Sequence, residues 1–558
     1  MLKQDEWDAI VVGSGMGGLV CAAYLAVSGR RVLVLEQHDV AGGNSHVFRR
    51  RRAYEFDVGV HYLGDCGPDG VLPAIFSGLG LGDRVTYREM DRGGFDRIVL
   101  PGLTVDVPVG WEAYTRRLTE ALPGEAEGLT RFTAVCEAVA QETRGLLLSD
   151  GELSVADLMA RTPVSAEWGR RTLADLFDHC GLGPRARTVL AAQSPNYGIG
   201  PREAAVSTHA AVTDHYLRGA YYPEGGGQVL AAALVEALEA HGGELRTRSR
   251  VARILVEDGR ATGVGMTDGE VLRAPLVVSN ADYSRTVFDL VGEEHFGRRV
   301  VNRTRQARMA LPLATLYIAL DTELPARPNA NLWWYRDDDI EGYYDRVARE
   351  SITPVPFLFA SFSSLKDPGT AAVCPPGHSN FQVMTLCPPS YEYWGVGAGP
   401  AAGERYRRNT VYQRRKAELT EAMLGAAEEA LGPFRDHVVH LETATPITHE
   451  RYILATGGTP YGLAQWGGVG NRPDTRTTVE GLHMVGTNTR YGTGITGSAV
   501  GGMACAAQIL GRGLLAEVHR GALLGDPDLL PARGADWDPL AVSRGAGRRS
   551  ARGLARIG

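Results

Sequence analysis

Three glycines near the N-terminus have the spacing that lets a polypeptide wrap around a phosphate. Gly13, Gly15 and Gly18 form a GxGxxG pattern. The first glycine permits a tight turn, the second lets the backbone approach a pyrophosphate, and the third lets a helix pack closely on a strand. The N-terminus of that helix directs unpaired N–H groups and a partial positive charge at the phosphates. The residues between the glycines belong to the same predicted site: Ser14, Met16 and Gly17.

An acidic residue follows at the distance that ribose recognition requires. Glu36 lies 18 residues after Gly18, at the end of the next apolar run. Its carboxylate can accept hydrogen bonds from a ribose diol there, and its charge disfavours a 2′-phosphate. Together with Gln37, it predicts a site for the adenosine half of a dinucleotide, either NAD or FAD.

The elements that position these residues form a strand–helix–strand unit. Residues 9–12 and 31–35 are short apolar runs, typical of buried parallel strands. Between them, apolar side chains recur at helical spacing, at Met16, Leu19, Val20, Ala23 and Val27. The sequence therefore predicts an α/β chain that opens with a Rossmann-type βαβ unit.

A glycine doublet, Gly42-Gly43, comes shortly after Glu36. The combined pattern of GxGxxG, Glu and a doublet resembles the extended dinucleotide motif of FAD-containing oxidoreductases of the amine oxidase and phytoene desaturase type. The resemblance implies FAD as the cofactor and places the doublet, Asn44 and Ser45 over its pyrophosphate. Backbone N–H groups and small polar side chains suit a phosphate.

The segment FDVGVHYLG, residues 56–64, resembles the strand that passes beside the isoalloxazine ring in this family. Along one continuous strand, alternation would place Phe56, Val58, Val60 and Tyr62 on one face and Asp57, Gly59, His61 and Leu63 on the other. Gly59 would let a flat ligand approach the backbone. His61 is the candidate catalytic proton donor, and the alternative is a histidine that is only hydrogen-bonded within the strand. The cofactor-binding residues predicted here are Val58, Gly59, Val60 and His61.

Two later blocks resemble the same family. Residues 221–282 are similar to its second cofactor-binding region, which implies that Val251 contributes backbone groups to the adenine and that Asn280 returns with residues 277–282 to the Rossmann sheet. Residues 444–463 resemble a segment of carotenoid isomerases and retinol saturases.

The third block, residues 481–510, contains a strand, a glycine-rich turn and a helix of small residues. The N-terminus of this helix would point at the flavin end of the cofactor and stabilise negative charge on the reduced ring. Many family members carry proline just before the turn, where this chain has Tyr491-Gly492. The predicted contacts are Gly486, Thr487, Gly494, Ile495, Thr496 and Gly497.

The order of these blocks predicts a discontinuous domain organisation. A glutathione reductase-like FAD-binding domain would combine residues 1–65, 215–283 and 441–515. A mixed-sheet α+β substrate domain would combine a largely helical part, 66–214, with a strand-rich part, 284–440, whose apolar and aromatic runs could line a long tunnel. Residues 516–558 lose periodicity and are predicted to be a flexible tail.

Bulk properties restrict the function. The chain has 558 residues and a net charge of −7, which gives no support to nucleic-acid binding. Its seven cysteines contain no CxxC pair, so neither a disulfide framework nor a metal site is indicated, and a cytoplasmic location is expected. No signal pattern or apolar run long enough to span a bilayer is present.

Arginine runs admit several interpretations, because only three of the 58 basic residues are lysine. Arg49 to Arg52 could be a solvated hairpin tip, a patch for anionic lipid headgroups, or partners of the cofactor phosphates. The last 16 residues hold five arginines and no acid, so peripheral membrane contact is the alternative to a disordered tail.

A flavin beside a lipophilic tunnel predicts hydride exchange at carbon. The resemblance to the saturase and isomerase branch favours an ene-reductase that acts on a hydrophobic polyene, with an electron donor or acceptor that the sequence leaves unknown. A desaturase and a cis–trans isomerase are the nearest alternatives. A flavin-free prenyl-binding protein of the Rab GDP-dissociation inhibitor type and an amine oxidase are the alternatives from other classes.

Overall fold

The structure is a computed structural model that describes residues 7–148, 154–325, 327–468 and 471–546. Its strands are β1 (Ala9–Val12), β2 (Val32–Leu35), β3 (Val47–Arg50), β4 (Tyr54–Asp57), β5 (Leu63–Gly64), β6 (Tyr87–Glu89), β7 (Asp96–Leu100), β8 (Leu103–Val107), β9 (Ala220–Pro223), β10 (Glu244–Arg246), β11 (Val251–Glu257), β12 (Arg260–Met266), β13 (Val271–Arg273), β14 (Leu276–Ser279), β15 (Leu313–Leu320), β16 (Asn331–Tyr335), β17 (Phe357–Ser361), β18 (Ser379–Leu386), β19 (Val438–Ala444) and β20 (Leu482–Met484).

The α-helices are α1 (Met16–Val27), α2 (Val71–Gly78), α3 (Trp111–Ala121), α4 (Ala126–Leu147), α5 (Val155–Arg161), α6 (Pro163–Trp168), α7 (Leu173–Cys180), α8 (Pro184–Leu190), α9 (Val206–Leu217), α10 (Gln228–Ala240), α11 (Tyr283–Arg285), α12 (Arg298–Arg305), α13 (Ile340–Ala348), α14 (Ser363–Lys366), α15 (Thr410–Leu431), α16 (Pro446–Ile453), α17 (Gly494–Leu510), α18 (Leu514–His519) and α19 (Pro539–Val542).

A five-stranded parallel sheet carries the first of the predicted motifs. Its order is β10-β2-β1-β14-β20, so strands from three distant parts of the chain lie side by side. Ile10 pairs with Leu33 on one side and with Val277 on the other, and all three side chains are fully buried. Helices α1, α10 and α17 cover one face, as expected for a parallel sheet whose strands are apolar throughout. The predicted Rossmann-type fold is confirmed.

A seven-stranded mixed sheet forms the second layer. Its order is β19-β15-β18-β17-β16-β7-β8, with β16 and β7 parallel and the other neighbours antiparallel. The helices between β8 and β9 share a hydrophobic core with it, in which Phe132, Phe177 and Trp333 are almost completely buried. This mixed-sheet layer, with its associated helices, agrees with the predicted α+β architecture.

The prediction of one continuous strand over residues 56–64 is wrong. Strand β4 ends at Asp57 and β5 begins at Leu63, so the alternation of faces does not extend across this segment. The chain bends because Val58 donates its N–H to the carbonyl of His46, and because Gly59 passes under Asn44, where an added Cβ would lie 2.9 Å from a carbonyl oxygen. Tertiary contact here overrides the strand pattern.

The prediction of a flexible tail is wrong for residues 516–546. Arg533 and Trp537 bind the buried carboxylate of Glu236 at 2.8 Å, and Arg533 stacks on the Trp537 ring. Further on, Ser543 Oγ accepts a hydrogen bond from Gln228. These polar anchors fix a segment that has no apolar periodicity of its own. The arginines at 548, 549, 552 and 556 lie outside the described residues.

The four consecutive arginines divide into two pairs. Arg51 and Arg52 form the exposed tip of the β3–β4 hairpin, as the solvated-turn interpretation predicts. Arg49 and Arg50 lie on β3 and form ion pairs with carboxylates of the chain itself: Glu55, Asp538 and Glu442. In the part of the chain that the structure describes, no helix is both long and apolar enough to cross a bilayer.

Candidate functional site

A cavity of about 490 Å³ lies at the carboxyl ends of β1, β2, β14 and β20. Open α/β sheets bind ligands at this edge. The structure brings most of the predicted cofactor residues to its wall: Gly13, Ser14, Gly15, Met16, Gly17, Glu36, Gln37, Gly42, Gly43, Asn44, Ser45, Gly59, Val251, Asn280, Gly486, Thr487, Gly494 and Ile495. We call this space the dinucleotide cavity.

The two glycine segments meet directly in this cavity. Gly15 and Gly42 form a parallel β-bridge, and Gly42 donates its N–H to the carbonyl of Ser14 at 3.0 Å. Gly43 has a φ of +55°, and a Cβ added to it would lie 3.0 Å from Gly15 Cα. Gly15 is also the N-cap of α1 and provides no capping side chain. In the first turn of α1, the N–H groups of Met16 and Gly17 therefore have no intrahelical partner and are available to a phosphate.

Glu36 stabilises this turn as well as facing the cavity. Its Oε2 accepts hydrogen bonds from the Ser14 N–H at 2.9 Å and from the Ser14 hydroxyl at 2.6 Å, and its Oε1 accepts from the His38 N–H at 2.8 Å. A carboxylate has about four acceptor positions. About one position therefore remains for a ribose hydroxyl while the carboxylate holds the glycine turn in shape.

The third glycine of the motif has the packing role that its position predicts. Gly18 does not line the cavity, and its N–H donates to Asn280 Oδ1 at 3.2 Å. An added Cβ would lie 2.5 Å from the carbonyl oxygen of Gly13. Asn280 thus joins the end of β14 to the start of α1, as well as lining the cavity.

Cavity shape and donor chemistry fit FAD. Val251 lies at one end, the glycine turns in the middle, and Gly486, Thr487, Gly494 and Ile495 at the other end. Two of the cofactor contacts predicted on α17 are not found, because Thr496 and Gly497 do not line the cavity wall. Gly497 packs on the backbone of Gly492, where an added Cβ would lie 2.8 Å from the carbonyl carbon. Thr496 Oγ1 is buried, and none of the described residues forms a hydrogen bond with it.

A second cavity of about 480 Å³ adjoins the first, and we call it the substrate cavity. Apolar side chains from the mixed sheet and the β3–β4 hairpin form much of its wall: Val47, Phe48, Leu313, Tyr317, Met384 and Ala444. Val58 and His61 line this cavity and not the dinucleotide cavity, which corrects their predicted assignment. Val60 lines neither, because it packs against Gly227.

The two cavities share part of their walls. Residues that line both are His38, Val40, His46, Gly59, Tyr452, Ile453, Pro460 and Tyr461. Burial raises the pKa of the Tyr461 phenol, and burial lowers the pKa of the His46 imidazole to about 4. Both groups are therefore uncharged at neutral pH, and the junction presents an aromatic and largely neutral surface.

His61 projects into the substrate cavity from the bend after β4. Its Nδ1 is buried without a hydrogen-bond partner among the described residues, and its ring meets Phe359 edge-on at 5.9 Å. Burial, and then the charge of Lys366, lower the pKa of the imidazole to about 3. The ring is consequently neutral at physiological pH and carries one exchangeable N–H.

Lys366 supports this bend from behind. The lysine is 1% exposed, and its Nζ donates to the carbonyl of His61 at 2.6 Å and to the hydroxyl of Ser361 at 2.7 Å. Burial lowers its pKa to about 7, although Asp96 and Asp57 oppose the shift. The same burial raises the pKa of each of these two carboxyl groups to about 6.

This lysine predicts a pH dependence of stability. Its pKa is lower in the folded state than in the unfolded chain, so between pH 7 and 10 the unfolded state binds about one more proton. The free energy of unfolding of the native protein should therefore rise by up to ~1.4 kcal/mol per pH unit in that window, relative to Lys366→Met. Urea unfolding of both proteins from pH 7 to 9.5 measures the difference, and parallel curves would contradict it.

Several site residues lie outside the sequence prediction. Four of them line the shared wall or the substrate cavity: His449, Tyr452, Pro460 and Tyr461. All four belong to residues 444–463, whose resemblance to the family does not indicate which individual residues contact a ligand. The sequence distinguishes Lys366 only by its residue type, because only three of the 58 basic residues are lysine.

Known proteins resemble this chain over most of its length. All-trans-retinol 13,14-reductase of Macaca fascicularis is 29% identical over 545 residues, covering 92% of this chain and 87% of that protein. Prolycopene isomerase 1 of an Oncidium hybrid cultivar is 27% identical over 521 residues, covering 91% and 84%. Cyclohexylamine oxidase of Brevibacterium oxydans has a solved structure that matches 91% of this chain and all of its own with a TM-score of 0.59; at 17% identity it supports the fold alone.

The family model described as flavin containing amine oxidoreductase matches residues 16–510. That range includes most of the dinucleotide cavity and the shared wall. The chain therefore belongs to the flavin-containing amine oxidoreductase family, and it is an FAD-dependent oxidoreductase.

Proposed function

We propose that this protein is an FAD-dependent reductase of carbon–carbon double bonds in a lipophilic polyene of retinoid or carotenoid type. The observation that carries the proposal is the shared wall at Gly59, Pro460 and Tyr461, across which the dinucleotide cavity meets a second cavity of similar volume. The wall of this second cavity is mostly apolar and also includes the paired charges of Arg49, Arg50, Glu442 and Asp538. A conjugated chain in the second cavity would lie against the reactive end of a dinucleotide in the first.

The relatives support the same substrate class. Two of them are named all-trans-retinol 13,14-reductase and prolycopene isomerase 1. Both names refer to long conjugated isoprenoids, and the first refers to a reduction. An isomerase and a desaturase remain the alternatives within the class.

Bound FAD would supply the hydride chemistry. The residues of the chain would bind the substrate, exclude water and donate the proton. Leu313, Met384 and Phe48 bind and orient the polyene by apolar contact and exclude water from it. Saturation of one double bond needs a hydride at one carbon and a proton at the other. His61, with its neutral ring on the substrate cavity, is the proposed proton donor, and its other ring nitrogen takes up a proton from water as the first proton leaves.

Replacing His61 tests that role. His61→Gln keeps a hydrogen-bonding side chain but removes the imidazole, and we expect polyene reduction to fall by ~10²- to 10⁴-fold, the usual contribution of a positioned acid. Because the pKa of His61 is about 3, no loss of wild-type activity from its deprotonation is expected between pH 6 and 8. Steady-state rates across that range give both readouts, and unchanged turnover of the variant would remove His61 from the mechanism.

The proposed activity is tested by mass spectrometry of the product. The purified holoprotein, reduced anaerobically, is incubated with all-trans-retinol, and we expect a gain of two hydrogens. An unchanged mass with altered chromatographic retention would indicate an isomerase. A loss of two hydrogens with oxidised enzyme would indicate a desaturase, and peroxide release from an amine would indicate an amine oxidase. Any of these three results would contradict the proposal.

A lipophilic substrate also supports contact with a membrane surface at which such a molecule would be collected. This contact, the cytoplasmic location and the identity of the electron donor stay predictions.

A further inference from the structure

Arg472 is a buried cation directly behind the wall of the dinucleotide cavity. The residue is 4% exposed. Its Nη2 donates to the backbone carbonyls of Thr487 and Tyr461, which both line the dinucleotide cavity, and Tyr461 also lines the substrate cavity. The guanidinium is therefore one residue layer away from the dinucleotide cavity.

Among the residues that the structure describes, no carboxylate forms an ion pair with Arg472. Its Nε and Nη1 are buried and have no hydrogen-bond partner among the described residues. Burial lowers its pKa to about 9, so the group remains protonated at neutral pH. An unpaired buried charge is costly, and it persists only when other interactions hold it in place.

Other positive and donor groups lie at the same end of the cavity. Helix α17 begins at Gly494 with its N-cap, Thr493, making no side-chain cap, and it directs the positive end of its dipole at the wall. The helix N-terminus and the guanidinium are independent features, and both favour an anion at this end.

We propose that Arg472 stabilises the negative charge that the flavin ring gains on reduction, and so raises the midpoint potential of bound FAD. A flavin that accepts two electrons and one proton carries one more negative charge than the oxidised ring. In a site of low dielectric constant, a guanidinium one residue layer away interacts strongly with that charge. The inference rests on the proposed placement of the flavin, and it accounts for a buried arginine that has no carboxylate partner among the described residues.

The alternative is a structural role only, in which Arg472 joins the loop around Tyr461 to the loop around Thr487. The two roles differ in the charge they need. Arg472→Gln removes the charge and keeps an amide donor, whereas Arg472→Lys keeps the charge. Arg490→Gln is the matched control, because Arg490 is 53% exposed and already paired with Asp474 at 3.0 Å.

The test is an anaerobic redox titration of the purified holoproteins, without any polyene. In Arg472→Gln, we expect the affinity for reduced relative to oxidised FAD to fall at least tenfold, which equals about 30 mV for a two-electron couple. Arg472→Lys should retain most of the wild-type potential, and Arg490→Gln should equal wild type.

A potential in Arg472→Gln equal to that of wild type would overturn the proposal. So would loss of FAD from both the Gln and the Lys variants, which would assign Arg472 to joining the loops. Because the titration contains no polyene, either result leaves polyene reduction itself untouched, and failure of wild type to reduce retinol leaves this inference untouched.

Discussion

Gly43→Ala should release FAD from a protein that still folds. Gly43 has a φ of +55°, and its missing Cβ faces Gly15 Cα at 3.0 Å. An alanine in this left-handed backbone conformation is strained by ~1–2 kcal/mol. Its methyl group also forces the two phosphate-binding segments apart. We expect FAD to bind ~100-fold more weakly, which corresponds to about 2.7 kcal/mol. Fluorescence titration of the apoprotein with FAD measures the change.

The matched control is Gly29→Ala. Gly29 also has a positive φ, +82°, but an added Cβ at this position would meet nothing within 4 Å. The control therefore carries similar backbone strain without the steric contact, and it should bind FAD as wild type does. Equal loss of FAD from the two variants would show that general instability causes the effect, and not the steric contact between residue 43 and Gly15.

Leu313→Trp should abolish turnover of a polyene while FAD stays bound. Leu313 begins β15 and lines the substrate cavity together with Thr315 and Tyr317, the next residues on the same face. The cavity measures about 480 Å³, and an indole in its wall would occupy space that the polyene needs. We expect kcat/KM to fall at least ~100-fold, or about 2.7 kcal/mol of transition-state stabilisation.

Two controls separate blockage from damage. Leu441→Trp places the same side chain on β19, where Leu441 is 37% exposed and does not line either cavity. It should leave turnover unchanged. Leu313→Ala enlarges the cavity and should accept bulkier polyenes. Full activity of Leu313→Trp with bound FAD would place the substrate elsewhere.

Local spacing was sufficient to predict the phosphate-binding part of the site. The positions of Gly13, Gly15 and Gly18 depend on one turn between a strand and a helix, so they are readable from a few neighbouring residues. The β-bridge between Gly15 and Gly42 confirms that the second glycine segment belongs to the same region.

Long-range contacts explain what the sequence did not predict. The strand after Asp57 is interrupted because Gly59 passes beneath Asn44, a contact that no local pattern encodes. The C-terminal segment is ordered by the distant Glu236 and Gln228. Arg472 has an ordinary sequence context, and only its burial behind Thr487 distinguishes it from the many surface arginines.

The most direct test of the account is the reoxidation of bound FAD by a polyene. The holoprotein is reduced anaerobically, mixed with all-trans-retinol in a stopped-flow instrument, and followed by the return of flavin absorbance. The account predicts complete reoxidation at a rate that saturates with retinol, with one equivalent of a product two hydrogens heavier, and strong slowing in Leu313→Trp. Flavin that stays reduced in the presence of retinol and other long polyenes, yet reoxidises with oxygen, would contradict the assignment of the protein as a polyene reductase.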